Sequence, residues 1–178
     1  MNDPEYILVD EVETLVLKAS TKLNAQNVFT GAINYQYGYL PELQATLKEY
    51  SKTIEFSAKK YPLVWLVQPF TINRVDGSYY GDTTLRFFII QQSEAGLRAP
   101  ERMEQKFKPI LYPIYRELLN QFLNASNIFD GLMGDNLPHN VTDRYYWGDA
   151  QILNDVFDCM EISNMKLKIS NKQNCSIN

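Results

Sequence analysis

Apolar residues recur at Val9, Val12, Val16, Ala19 and Leu23, spacings of three and four that place them on one helical face and predict a helix from Glu5 to about Leu23. Asp3 and Pro4 suit its cap and first turn. After the polar, turn-prone run from Asn24 to Asn27, the segment VFTGAINYQY puts Phe29, Ile33, Tyr35 and Tyr37 on one side of an expected strand. Gly38-Tyr39-Leu40-Pro41 breaks that strand, and PELQATLKEYSK reads as a short helix with Leu43, Leu47 and Tyr50 inward.

The run YPLVWLVQPF is rich in β-formers and bracketed by Pro62 and Pro69, the pattern of a buried strand with prolines confined to its ends. A hairpin-like connection follows, with Asp76-Gly77 as its turn signal, and TTLRFFIIQQ is the returning strand. Leu85, Phe87 and Ile89 share one of its faces, while Arg86, Phe88 and Ile90 share the other, which should be covered at one end and wet at the other.

The strongest helical period lies in PERMEQKFKPILYPIYRELLNQFL, through Met103, Phe107, Ile110, Leu111, Ile114, Leu118 and Phe122. Pro109 and Pro113 fall inside it. An interior proline removes a donor and crowds the previous turn, at a cost of about 3 kcal/mol, so a kink or break is expected there. Residues 124–149 have little periodicity and read as the longest irregular stretch, of the kind that is functional or disordered.

The last strand, DVFDCMEISNMKLKIS, changes phase: Val156, Met160 and Ile162 are even, whereas Met165, Leu167 and Ile169 are odd. One extra residue near Ser163-Asn164, a β-bulge, would return both sets to one face. Helix, strand, short helix, two strands, long helix and strand describe one α+β domain over residues 1–170. Its antiparallel or mixed sheet is flanked by the N-terminal helix and the proline-kinked helix, with a polar tail at 171–178.

Composition changes this picture in one respect. The chain has 178 residues, 45% hydrophobic and 21% charged, as for an ordinary globular domain. Its 12 Tyr and 9 Phe beside a single His point either to half-wet interfaces or to a Tyr-rich core. A net charge of −4 argues against a general electrostatic grip on nucleic acid, and Lys166, Lys168 and Lys172 read as a solvated edge. The first residues lack a basic segment and an apolar run, so neither a signal peptide nor a membrane anchor is expected. Cys159 and Cys175 read as free thiols, with Cys159 in the core.

Candidate chemistry is sparse. His139 reads as an exposed loop residue, and neither a Walker pattern nor G-x-G-x-x-G occurs. The carboxylates Asp10, Glu11 and Glu13 fall on a polar helical face. Asp155, Asp158 and Glu161 are interleaved with apolar strand residues, where Asp158 is a candidate inward group, although the pattern favours a solvent face or an intersubunit contact. A Mg²⁺-dependent hydrolase built on that trio is the weakest reading, and the expectation is no catalytic, cofactor-binding or metal site.

Four segments resemble a known family: Lys60-Tyr61-Pro62-Leu63-Val64-Trp65-Leu66, then Arg98-Ala99-Pro100-Glu101-Arg102 running into Lys108-Pro109-Ile110-Leu111-Tyr112-Pro113-Ile114-Tyr115, then Tyr146-Trp147-Gly148, then Ile162-Ser163-Asn164-Met165-Lys166-Leu167. In these the chain resembles small virion proteins of phages and prophages of Bacteroides-type bacteria, including the crAss-like phages, over residues 4–169. The element order is also similar to that of tail-terminator and tail-completion proteins. The resemblance implies a structural protein of the virion, assembled in the host bacterial cytoplasm. It would form a homo-oligomeric ring in the neck or at the tail end, linking portal or adjacent neck rings to tail-tube or tail-hub proteins. DNA would pass through the lumen without specific binding, and no membrane would be involved.

A ring joins copies head to tail through two different surfaces, and such contacts favour aromatic and Arg anchors. Arg144, Tyr145, Tyr146 and Trp147, on the long irregular stretch, are the candidate subunit-interface residues. Alternatively, Trp147 simply packs under its loop. The alternative of a different class is a small α+β binding or regulatory domain that recognises a peptide or ligand through a Tyr-rich face bearing Tyr35 and Tyr37.

Overall fold

A computed structural model describes residues 7–28, 30–50, 52, 60–74, 80–94, 96–125, 129, 137–145 and 157–170. Its elements are α1 (Leu8–Ala25), β1 (Asn34–Gly38), α2 (Leu40–Tyr50), β2 (Leu63–Val67), β3 (Ile72–Arg74), β4 (Tyr80–Gln92), the long helix α3, β5 (Asn140–Tyr145) and β6 (Phe157–Ser170). The helix α3 opens as an α-turn over Ala99–Arg102, widens to a π-helix over Met103–Leu111 and returns to α-helix over Tyr112–Asn124.

The strands form one six-stranded mixed sheet in the order β1-β2-β4-β6-β5, with the short β3 on the first half of β4. Only β1 and β2 run parallel, joined through α2, and the remaining pairs are antiparallel. The α+β class and the mixed sheet are as the element pattern predicts.

Each face of the sheet has its own core. Val64, Leu66, Phe87, Met160 and Ile162 pack beneath α1 and α3, which present Val12, Val16, Phe107 and Leu118. On the opposite face Leu43 and Leu47 of α2 cover Leu63, Trp65, Phe88 and Cys159. β2 lies between both cores and is buried at every position, so it has no polar alternation. Cys159 is buried and forms no disulfide.

The phase change in the last strand is resolved by a bulge where the pattern places it. Leu85 pairs with Met165 and Phe87 with Ile162, so Arg86 alone faces Ser163 and Asn164. Asn164 takes φ 54°, the left-handed region that Asn tolerates better than most residues. Met160, Ile162, Met165, Leu167 and Ile169 all enter one core as a result.

The helix α3 is contiguous through Pro109 and Pro113, so the chain does not break there, and the irregularity expected at the prolines takes the form of a π-helix. Tyr112 N–H donates to the Phe107 carbonyl, five residues back. In an α-helix each proline ring would press on the carbonyl four residues earlier, and a wider turn moves that carbonyl away. The inward face shifts with it: Arg102 and Phe107, five apart, are both buried, while Met103 is only half-buried.

β1 is shorter than the predicted strand, because residues 30–33 precede it as irregular chain. β3 was absent from the predicted elements, and β5 corrects the reading of 124–149 as irregular throughout, since Asn140–Tyr145 pairs along β6. The cap at Asp3-Pro4, Phe29, the Asp76-Gly77 turn, Val156 and the tail at 171–178 lie outside the described residues.

Gly38 joins β1 to α2 at φ 152°, and a Cβ there would meet the Glu42 carboxylate and the Trp65 ring. That approach lets Trp65 Nε1–H donate to the Gly38 carbonyl at 3.2 Å, while Tyr39 N–H donates to Glu42 Oε2 at 2.8 Å and starts α2.

Candidate functional site: the sheet edges and their polar anchors

The carboxylates proposed as a trio do not converge. Asp158 pairs with Gln91 and Glu161 with Phe88, which sends the two side chains to opposite faces of the sheet. Asp155 lies outside the described residues. Asp158 is fully buried, and its Oδ1 accepts from Arg102 Nη1 at 2.6 Å, which corrects the expectation of a solvent-facing or intersubunit carboxylate. Arg102 is held further by the Leu97 carbonyl at 2.9 Å, Ser93 Oγ at 2.9 Å and the Glu94 carbonyl at 3.2 Å. This pair ties the first turn of α3 to the start of β6 and the end of β4. Asp158 Oδ2 and the neighbouring Gln91 Oε1 are buried acceptors without hydrogen-bond partners.

Glu161, on the other face, accepts from Arg86 Nε at 2.7 Å, and the guanidinium lies 5.0 Å from the Phe88 ring centroid. Arg86 is half-buried there, at the boundary between the covered and wet parts of that face. Lys166 and Lys168 are exposed beyond it, as a solvated edge should be. Among the described residues no group of three His, Cys, Asp or Glu side chains could hold a metal ion, and no helix is long and apolar enough to cross a membrane.

His139 corrects the expectation of a free loop histidine. It is half-buried, with Nε2 2.7 Å from the Tyr115 hydroxyl and Nδ1 2.5 Å from the Leu137 carbonyl. A neutral ring that donates from Nδ1 and accepts at Nε2 satisfies both contacts. Beside it Tyr112 O–H donates to Asp143 Oδ2 at 2.9 Å. Two tyrosines of α3 thereby fasten β5 and its approach to the helix layer. Burial holds the Tyr115 phenol above its ordinary pKa, and the Arg116 charge next to it opposes that shift.

The candidate interface residues divide. Arg144 and Tyr145 are the last two positions of β5, with backbones opposite Cys159 and Asp158, so they belong to an edge strand and not to a loop. Tyr146 and Trp147 lie outside the described residues.

At the opposite edge Tyr35 of β1 is committed to its own fold: its hydroxyl donates to the Val9 carbonyl at 3.0 Å. Burial raises its pKa, and Glu13, Tyr37 and Asp10 add to the shift. Tyr37 and Tyr39 are 48% and 50% exposed, and Leu17, one helical turn beyond Glu13 on α1, is 56% exposed. The tyrosines therefore serve both readings, some as core and some on an open border. Exposed aromatic groups beside β1 were within reach of sequence reasoning, but the border itself depends on sheet order.

No protein-family model matches the chain, and a search of curated proteins finds no match.

Proposed function

We propose that the protein is a structural component of a tailed bacteriophage particle. It forms a homo-oligomeric ring in the head-to-tail connector or at the end of the tail. Copies of the chain surround the DNA channel and join the portal or an adjacent neck ring to tail-tube or tail-hub proteins. The observation that carries this reading is the sheet order: among the described residues no strand lies outside β1 or β5, so the described sheet ends on two different strands. An unpaired strand edge is a template for another chain. Two unlike edges meet the requirement of a ring, whose neighbours contact each other through different surfaces.

The likeness to small virion proteins supports the same reading. Three of its four segments coincide with structural devices, namely buried β2, the Arg102 anchor with the π-helix, and the bulged β6, while Tyr146-Trp147-Gly148 lies outside the described residues. A net charge of −4 suits a channel through which DNA must slide. The Tyr-face binding domain has less support, because the Tyr35 hydroxyl is already engaged.

The test is negative-stain imaging of the purified protein alone at high concentration and mixed with purified portal. The expected result is uniform rings, free or seated on the portal; a protein that remains monomeric in both would overturn the proposal.

A further inference from the structure

We propose that the ring contact is a β-sheet continued between copies, with β5 of one subunit pairing antiparallel with β1 of the next. This rests on the ring reading and names the surface that closes it.

β1 and β2 run together, β4 reverses, β6 returns and β5 reverses again. The two borders of the sheet therefore run in opposite senses. A neighbour repeated in the same orientation brings its β1 alongside β5 as an antiparallel pair, which is the slightly stronger arrangement. The strands have five and six residues, so each can pair along its whole length.

The outward groups of β1 are available. Asn34 N–H donates to the Pro62 carbonyl and Gly38 C=O accepts from Gln68 N–H, both toward the β2 side. By the two-residue period Gln36 also bonds inward, and the N–H and C=O of Tyr35 and Tyr37 point away from β2.

The flanks are complementary. Along the β1 border stand the acidic, exposed Asp10 and Glu13 with the apolar surfaces of Leu17, Tyr37 and Tyr39. Along the β5 border stand exposed Arg116 on α3 and Val141, which is 39% exposed. The one carboxylate in β5, Asp143, is half-buried and turned toward Tyr112 of α3, whose hydroxyl donates to its Oδ2. A two-fold pairing of β5 with β5 would leave both β1 borders open and set like charges together, whereas head-to-tail pairing uses both edges and opposes unlike charges.

The experiment uses the full chain with Cys175→Ser, leaving Cys159 buried, and a short bismaleimide. Tyr37→Cys and Val141→Cys change exposed positions. The double variant is expected to give a ladder of covalent multimers, each single variant alone none, and the two singles mixed only dimers. A second arm uses Glu13→Arg and Arg116→Glu: each alone should lose assembly, and a one-to-one mixture should regain it, because every contact then joins opposite charges. Self-cross-linking of either single variant would overturn the head-to-tail pairing. Rings that form without any ladder from the double variant would overturn the pairing and leave the ring standing, whereas a monomer under all conditions, on portal included, would overturn both.

Discussion

At the residue scale the fold depends on a few polar side chains placed where water cannot reach them. The Arg102–Asp158 pair is 1% and 0% exposed, so removing one partner strands a buried charge. Arg102→Met should cost about 3–5 kcal/mol in chemical denaturation, whereas Arg102→Met with Asp158→Leu should recover most of that loss. Tyr61 presents the converse case, a buried hydroxyl without a hydrogen-bond partner. Tyr61→Phe removes that orphan and should raise stability by about 1 kcal/mol. The same burial holds the Tyr35 and Tyr61 phenols above the ordinary 10.0, so the folded chain keeps protons that the unfolded chain releases. Their contribution is complete below that value, and stability should fall as pH rises past it. Denaturation midpoints between pH 8 and 11 measure the loss, and Tyr61→Phe should reduce it.

The buried ion pair was only half legible in the sequence. Asp158 interrupts apolar strand residues and so is a candidate inward group. Its partner Arg102 sits beside Met103, which the helical period assigns inward. The π-turn reverses that choice, and no single-sequence period encodes it.

At the scale of elements, strong periodicity and its interruptions were readable. The even-to-odd change in β6 located the bulge because each side chain must return to the core face, and Pro109 and Pro113 marked where α3 departs from α-helix. Deleting Asn164 should remove the bulge and turn either Met165, Leu167 and Ile169 or Met160 and Ile162 toward the wrong face. A loss of cooperative thermal unfolding measures that outcome, while Asn164→Gly, which suits φ 54°, should stay within about 1 kcal/mol of the parent.

β5 and β3 were missed for a physical reason. An edge strand needs only one buried side and few residues, and in β5 Val141 is exposed while Asp143 and the neighbouring His139 bond to tyrosines of α3. Its six residues carry little apolar alternation. β3, with three residues, has too few positions for any period.

At the scale of the whole molecule, sequence reasoning reached the fold class but not the sheet order, which depends on pairings between distant segments. That order converts a set of exposed tyrosines into a border and makes the two edges of the sheet unlike and oppositely directed. The candidate anchors Arg144 and Tyr145 acquire a position on one of those borders. The proposed role, a repeated structural part of a phage particle, is tested by quantitative mass spectrometry of purified particles. The predicted result is the chain at a fixed, multicopy ratio to the portal protein. Its absence from particles, or its presence only in traces that washing removes, would contradict that role.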